Sequence, residues 1–208
     1  MKIDCISDLH GYKPELEGGD LLIIAGDLTA RDTPEQLQEF IEWVDIQDYK
    51  KIIIIAGNHD NILVDHPLFF EDYVDDIEYL CDSGTEFEGL KIWGSPWTAK
   101  FYRQNPECMA FALDADDLKE KWALIPEDTD ILVTHSPPRN VLDHAYHKRT
   151  GCPDLRSVIN KIEPKLHVFG HIHECGGQIR DFTGMQCVNA SVVDQNYNHI
   201  NKPVRIVL

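Results

Sequence analysis

An α/β fold with a sheet that begins as parallel strands is expected for this chain of 208 residues. Three observations support it. Short runs of aliphatic and β-branched residues recur along the chain, as expected for strands buried on both faces. Amphipathic helical stretches alternate with these runs, and several runs lead directly into a polar cluster. That combination is typical of α/β sheets that bind ligands at the carboxyl ends of their strands.

The first third of the chain has the order strand, loop, strand, helix, strand. The predicted strands are Lys2 to Ser7, Leu21 to Ala25 and Ile52 to Ala56. Thr33 and Gln36 form a capping-box pattern with Pro34 at the first helical position, so a helix is expected to begin there. Its apolar residues recur at spacings of three and four and predict one face packed on the sheet. They are Leu37, Phe40, Ile41 and Val44.

The rest of the chain alternates strands with two more helices. One helix is expected from Asp114, its cap, to Ile125, where Pro126 stops it, and another over Pro153 to Ile162. The predicted strands are Ile77 to Leu80, Thr85 to Phe87, Leu90 to Trp93, Ile131 to Thr134, Leu166 to Phe169, Gln178 to Phe182, Met185 to Asn189 and Val204 to Leu208. Residues 135 to 151 are expected to form a polar loop. No linker or repeat interrupts the chain, so a single domain over residues 1–208 is predicted.

Composition excludes several classes of protein. The chain has 19 Lys and Arg against 36 Asp and Glu, a formal charge of −17, so no stable complex with nucleic acid is expected. Its longest apolar runs are far shorter than the roughly 20 residues of a membrane-spanning helix, so no membrane partner is expected. The start of the chain lacks the pattern of a secretory signal, and the six cysteines include no Cys-x-x-Cys pair. A cytoplasmic protein with reduced thiols is predicted.

Five predicted strands lead directly into Asp, His or Asn, and these five segments are expected to meet at one edge of the sheet. The members of each pair, Asp8 with His10 and His171 with His173, are two residues apart. In extended backbone such side chains point to the same side. Carboxylate, amide and imidazole groups are metal ligands. The seven candidates are Asp8, His10, Asp27, Asn58, His135, His171 and His173.

Seven ligands exceed what one octahedral ion accepts with room for substrate, so two divalent ions are expected. Asp27 stands alone after its strand and is the expected bridge between them. The absence of a thiolate favours Mn, Fe, Zn, Ni, Co or Mg, among which the sequence does not decide. Two such ions attract phosphate and activate water, so a bridging hydroxide is the expected nucleophile. His59 is the candidate general acid, with Asp60 a candidate orienting partner, although His59 as a structural residue is the alternative.

These residues form the motifs Asp8-x-His10, Gly26-Asp27, Gly57-Asn58-His59-Asp60, His135 and Gly170-His171-x-His173, in that order. The set resembles that of the calcineurin-like metallophosphoesterase superfamily, and is similar to its small branch related to class III cyclic nucleotide phosphodiesterases. The resemblance implies a four-layer α/β/β/α sandwich of two mixed β-sheets flanked by helices. It also implies one metal ion held by Asp8, His10, Asp27 and His173, and a second held by Asp27, Asn58, His135 and His171.

The expected function is therefore that of a dinuclear metal-dependent phosphohydrolase, most readily a phosphodiesterase on small phosphate esters such as cyclic nucleotides. The alternatives are a phosphomonoesterase or phosphoprotein phosphatase, or a non-catalytic metal-binding scaffold. The sequence does not predict the oligomeric state. Trp97 to Leu113 and Asn140 to Thr150 follow no assignable pattern. The second of these segments is basic, and it and Arg139 either contact substrate phosphate or form a solvated loop.

Overall fold

In the computed structural model the described residues are 1–67, 69–70, 76–101 and 108–208. The strands are β1 (Lys2–Ile6), β2 (Gly19–Ala25), β3 (Tyr49–Ile55), β4 (Ile77–Tyr79), β5 (Ser83–Phe87), β6 (Leu90–Ser95), β7 (Thr98–Ala99), β8 (Ala112–Leu113), β9 (Ile131–Thr134), β10 (His144–Ala145), β11 (Lys148–Arg149), β12 (Leu166–Phe169), β13 (Gln178–Phe182), β14 (Met185–Asn189) and β15 (Val204–Val207). The helices are α1 (Pro34–Asp45), α2 (Asn61–Asp65), α3 (Ala115–Trp122) and α4 (Pro153–Ile162), and a 3₁₀ turn spans His173–Cys175.

Two mixed sheets form the centre of the fold. The first has the strand order β15-β1-β2-β3-β4, in which β15 is antiparallel to β1 and the other neighbours are parallel. The second has the order β13-β14-β12-β9-β6-β5, with four parallel central strands and an antiparallel strand at each edge. Two short pairs, β7 with β8 and β10 with β11, lie outside them.

The two sheets pack face to face. Alternate residues of the first sheet point towards the second, and they include Ile3, Ile23 and Ile53. They meet Val133 and Val168 from the second sheet, and all five side chains are fully buried. Successive side chains of a strand point to opposite faces of its sheet. The residues that alternate with these inward-facing side chains therefore form the outer faces of the two sheets. The inner layer is therefore built from every second residue of long aliphatic runs.

Helices cover both outer faces. Phe40 and Val44 of α1 pack on Ile24, on the outer face of the first sheet. Trp122 of α3 packs in one cluster with the outer face of the second sheet and with α4. Phe169 of β12 belongs to that cluster and is fully buried. The four-layer α/β/β/α sandwich of two mixed sheets is thereby confirmed.

Several elements begin and end where local chemistry predicts. The Thr33 hydroxyl accepts the N–H of Gln36 at 3.3 Å and caps α1. The Gln36 side chain accepts the N–H of Arg31 at 2.7 Å. In the usual capping box it would accept the N–H of the cap residue itself, which here is Thr33. The Glu88-Gly89 turn has positive φ at both residues, as a two-residue hairpin requires. Strands β9, β12, β13 and β14 and helix α4 have the predicted bounds.

Other elements differ from the sequence prediction. The second predicted helix ends early, because α3 stops at Trp122 and the N–H groups of Leu124 and Ile125 bond three residues back instead of four. Asp114 caps it without a side-chain bond and pairs with Lys100 instead, at 2.7 Å. The predicted polar loop 135–151 contains the short hairpin β10–β11. The unassigned segment 97–113 contains β7 and β8, and its residues 102–107 lie outside the described chain.

Two expectations about the whole chain concern membranes and thiols. None of the helices in the described residues combines the length and apolar character that crossing a membrane requires. All six cysteines are among the described residues, and each is a free thiol.

The layer between the sheets is the part of the core most sensitive to lost volume. Replacing the fully buried Ile53 with Ala removes three carbons from a close-packed site. We expect a loss of about 2–5 kcal/mol in the free energy of unfolding, measured by urea denaturation. Val207→Ala, at a site that is 71% exposed, is the matched control and is expected to change it by about 0.5 kcal/mol or less. Equal losses in the two variants would contradict the two-sheet core.

Candidate metal centre

The candidate site lies where the carboxyl ends of parallel strands from both sheets meet. Backbone hydrogen bonds hold the loops that follow these strands together. The N–H of Asp8 donates to the carbonyl of Gly26 at 2.9 Å, and the N–H of His10 donates to the carbonyl of Asp27 at 3.0 Å. In the second sheet, the N–H of Gly170 donates to the carbonyl of His135 at 3.0 Å. The loops are thus fixed against one another before any side chain is considered.

Four of the candidate ligands have left-handed backbone conformations. Their φ values are 53° at Asp8, 43° at His10, 57° at Asp27 and 64° at His171. The argument that two-residue spacing in extended backbone aims each pair at one point is therefore wrong, although the side chains do converge. Tight turns aim them instead. A left-handed non-glycine residue costs roughly 1–2 kcal/mol, and such strain is found where a site requires it.

The first group of converging side chains comprises Asp8, His10, Asp27 and His173, whose potential ligand atoms all lie within 4.8 Å of one another. The Nε2 atom of His173 lies 3.2 Å from Oδ1 of Asp8. The Nε2 atom of His10 lies 3.7 Å from Oδ2 of Asp27 and has no hydrogen-bond partner among the described residues, although it is buried. A buried nitrogen beside a carboxylate and without a partner is what a cation site requires.

The second group shares Asp27 with the first. Nε2 of His135 lies 3.1 Å from Oδ1 of Asn58 and 3.4 Å from Oδ1 of Asp27. Nδ1 of His135 lies 2.8 Å from the carbonyl oxygen of Ala25, to which it donates. That bond leaves the Nε2 lone pair of the neutral ring directed at the shared carboxylate. The His171 ring lies 5.1 Å from the His135 ring, so all seven predicted ligands are brought together.

The two buried carboxylates are ionised. Burial alone would raise the pKa of Asp8, but the charge and hydrogen bond of His173 outweigh it and lower the pKa to about 2. Burial also opposes ionisation of Asp27, yet His135 holds its pKa well below the usual range. Two buried negative charges side by side are unfavourable unless positive charge lies between them. Divalent cations held by these side chains would supply that charge.

The imidazoles differ among themselves. Burial lowers the pKa of His10 to about 4 and that of His171 to about 3, so both rings are neutral and offer a lone pair. Burial also opposes a charge on His135, but Asp27 raises the pKa of that ring to about 9. The position beside Asp27 therefore favours a positive charge, which a bound metal ion would supply in place of the proton.

Glycines precede two of the ligands because the backbone approaches the carboxylates closely. A Cβ atom on Gly57 would lie 2.2 Å from Oδ1 of Asp27. A Cβ atom on Gly170 would lie 2.1 Å from Oδ2 of Asp8. Any larger residue at these positions would displace a candidate ligand, so the glycines of these motifs are steric requirements.

Asp60 has a different role from the one predicted. Its buried carboxylate accepts three backbone N–H groups, from Gly57 at 2.7 Å and from Asp27 and Leu28 at 2.9 Å each. These bonds hold the two loops that carry Asp27 and Asn58, whereas the sequence interpretation had Asp60 orient His59. Burial raises the pKa of Asp60 to about 8, and the charge of Asp27 adds to the shift. Asp60 is thus a positioning residue.

His59 and a residue that the sequence analysis missed lie beside the first group. The N–H of His59 donates to Oδ1 of Asp27 at 2.9 Å, and its ring packs edge-on against His10 at 4.7 Å. The ring of Tyr197 packs against His10 at 4.8 Å and His173 at 5.2 Å. The Asp194 carboxylate accepts backbone N–H groups two and four residues ahead and so closes the turn that carries Tyr197.

A cavity of about 580 Å³ opens beside these side chains. Its lining includes Asp27, His59 and His171 and also the basic residues Arg139 and Arg149. Its volume is in the range of pockets that bind whole small molecules and exceeds what a single phosphate group occupies.

Comparisons with known proteins agree with this geometry. Residues 1–175 match the family model described as calcineurin-like phosphoesterase. The human metallophosphoesterase domain-containing protein 1 is 36% identical over an alignment of 233 positions, gaps included. The alignment covers 98% of this chain and 70% of that protein. A UPF0046 protein of Caenorhabditis elegans is 33% identical over an alignment that covers 85% of this chain and 65% of that protein. The crystal structure of phosphopantetheinyl hydrolase from Mycobacterium tuberculosis has a TM-score of 0.66 at 14% identity, covering 94% of this chain and 90% of that one.

Removing the Asp60 carboxylate tests its positioning role. Asp60→Ala leaves three backbone N–H groups without their acceptor, and we expect a loss of at least about 2 kcal/mol in the free energy of unfolding. We also expect weaker Mn²⁺ binding in isothermal titration calorimetry, because Asp27 loses its support. Asp65→Ala, at an exposed position on α2, is the matched control. Wild-type stability and Mn²⁺ affinity in Asp60→Ala would refute the role.

Proposed function

Because the chain belongs to the calcineurin-like phosphoesterase family, we propose that it is a phosphoester hydrolase that acts preferentially on small phosphodiesters, such as cyclic nucleotides or nucleotide-derived diesters. The observation that carries the proposal is the pair of ligand groups that share the buried Asp27 carboxylate. Two cations held side by side are suited to an in-line displacement at phosphorus.

The proposed ligands follow the two groups. One ion is assigned to Asp8, His10, Asp27 and His173, and the other to Asp27, Asn58, His135 and His171. The donors are oxygen and imidazole nitrogen, which suit Mn, Fe, Zn, Ni, Co or Mg. When bound, such ions neutralise phosphate oxygens and lower the pKa of water.

His59 is the proposed general acid for the leaving oxygen. Its backbone is anchored to Asp27, and its ring lines the cavity beside the first group. A side chain in that position can give a proton to an alkoxide that leaves the phosphorus atom. Tyr197, packed against His10, limits how far the neighbouring histidine rings can turn.

The size of the cavity supports a diester over a monoester. A monoester carries one organic group, whereas a diester carries two, and the space of about 580 Å³ extends well beyond the ligand groups. A phosphomonoesterase on the same centre is the alternative, and the choice of substrate separates the two.

We expect the Mn²⁺-loaded protein to hydrolyse bis-p-nitrophenyl phosphate with a kcat/KM about tenfold above that for p-nitrophenyl phosphate. Asp27→Asn is expected to lower kcat/KM by at least about a hundredfold, because even the outer partners of metal ligands contribute 10–100-fold. Asp45→Asn, at an exposed end of α1, is the matched control. A clear preference for the monoester would overturn the assignment as a phosphodiesterase, and full activity of Asp27→Asn would remove the shared carboxylate from the mechanism.

The role of His59 predicts a dependence on the leaving group. His59→Gln is expected to lower kcat by about a hundredfold for 2′,3′-cyclic AMP, whose leaving alkoxide needs a proton. The loss for bis-p-nitrophenyl phosphate is expected to be less than about tenfold, because p-nitrophenolate leaves without one. His66→Gln, at an exposed position, is the control. Equal losses on both substrates would show that His59 is not the acid.

A further inference from the structure

The segment from Ser136 to Cys152, which contains the unassigned residues Asn140 to Thr150, forms a wall of the cavity. Its centre is Asp143, a fully buried carboxylate that accepts the N–H of Asn140 at 2.8 Å and that of Gly151 at 3.1 Å. The carbonyl of Asp143 accepts the N–H and the hydroxyl of Thr150, both at 2.9 Å. One buried residue thus holds both ends of the segment.

Arg149 is fixed by the same carboxylate. Its Nη1 donates to Oδ1 of Asp143 at 2.9 Å, and its side chain is 44% exposed while that of Asp143 is buried. Among the described residues, Asp143 is the only carboxylate within ion-pair distance of Arg149. Since a guanidinium has five N–H donors, most of them are available at the cavity surface that Arg149 lines.

Arg139 lines the cavity as well. Its N–H donates to the carbonyl of Cys152 at 2.9 Å, and its own carbonyl accepts a bond from Arg156 at 2.9 Å. These two bonds fix the backbone of Arg139 beside Cys152, three residues after Arg149. Its side chain is exposed and forms no ion pair within the described parts of the chain, although the protein has 36 acidic residues.

Among the described residues that line the cavity, Arg139 is a cation without an ion-pair partner, whereas Arg149 is paired with Asp143. Lys100 adds a third cation and is paired with Asp114. The lining carboxylates are those of Asp27, which belongs to both ligand groups, and Glu174, next to His173. A protein of net charge −17 thus has three cationic side chains, those of Lys100, Arg139 and Arg149, in the lining of one cavity.

We propose that Arg139 and Arg149 form a second anion-binding site, which binds a phosphate group carried by the organic part of the substrate. The proposal rests on the proposed function, since it takes the metal centre as the place where the scissile phosphodiester lies. Planar guanidinium groups match the geometry of phosphate oxygens, and two of them favour a dianion over a single negative charge. The favoured substrates are diesters with a second, terminal phosphate.

Two p-nitrophenyl esters that differ by one phosphate test this site. They are thymidine 5′-(p-nitrophenyl phosphate) and the same ester with a 3′-phosphate. We expect the Mn²⁺-loaded wild type to have about a tenfold higher kcat/KM for the 3′-phosphorylated ester, mainly through KM. Arg139→Gln is expected to reduce that ratio to about one. Arg139 is chosen because loss of Arg149 would leave the buried Asp143 without its cation.

Lys148→Gln is the matched control, since Lys148 precedes Arg149 on β11 and does not line the cavity. Like Arg139→Gln, it removes one positive charge from the segment Ser136 to Cys152, and it is expected to keep the tenfold ratio. A wild-type ratio near one, or an Arg139→Gln ratio equal to that of wild type, would overturn the proposal. An equal fall in both variants would show a general charge effect and would also overturn it.

A binding measurement separates this proposal from the proposed function. Isothermal titration calorimetry compares adenosine 3′,5′-bisphosphate with adenosine 5′-monophosphate on the Mn²⁺-loaded protein. The bisphosphate is expected to bind about tenfold more tightly to wild type and Lys148→Gln, and no more tightly to Arg139→Gln. If neither ester is hydrolysed but this difference is found, the phosphodiesterase assignment fails and the anion site stands. If both esters are hydrolysed but the two nucleotides bind equally tightly, the anion site fails and the phosphodiesterase assignment stands.

Discussion

The burial of the Asp27 carboxylate is the constraint on which the rest of the site depends. A buried negative charge is costly unless it is paired, and here a second buried carboxylate, Asp8, lies in the same group. The backbone N–H of His59 and the His135 imidazole each lie against Asp27. A cation bound between Asp8, His10, Asp27 and His173 would compensate the remaining charge.

The same constraint accounts for the local backbone. Loops that bring carboxylates and imidazoles this close have little room, so Gly57 and Gly170 occupy positions where a Cβ atom would overlap a carboxylate oxygen. Asp8 and Asp27 adopt left-handed conformations that cost free energy. The Asp60 carboxylate accepts three backbone N–H groups and so stabilises the loops that carry Asp27 and Asn58. Strain in the loops is thus offset by hydrogen bonds that lie outside the ligand groups.

Sequence patterns predicted the parts of the fold that follow from local chemistry. Helix α4 has a cap, a proline at its start and a regular apolar face, and its bounds were predicted in full. The candidate site residues were singled out because strand ends carry them, and they do converge, but the reason given for the convergence was wrong, since tight turns aim them. The partners of Asp60 and the place of Tyr197 depend on contacts between loops distant in the chain, which spacing does not encode. The hairpin β10–β11 was missed because each strand has two residues.

The overall charge of the protein and the charge of its cavity act in opposite directions. A surface of net charge −17 repels long polyanions, whose many phosphates meet that field along their whole length. Screening limits the effect to about 8 Å at physiological ionic strength, so a small anion that reaches the cavity experiences mainly the nearby cations. If Arg139 and Arg149 bind one phosphate group while the metal centre holds another, the cavity would select for molecules short enough to contact both. Size and charge distribution would then restrict the class of substrate more than the metal chemistry, because that chemistry is common to every phosphoester.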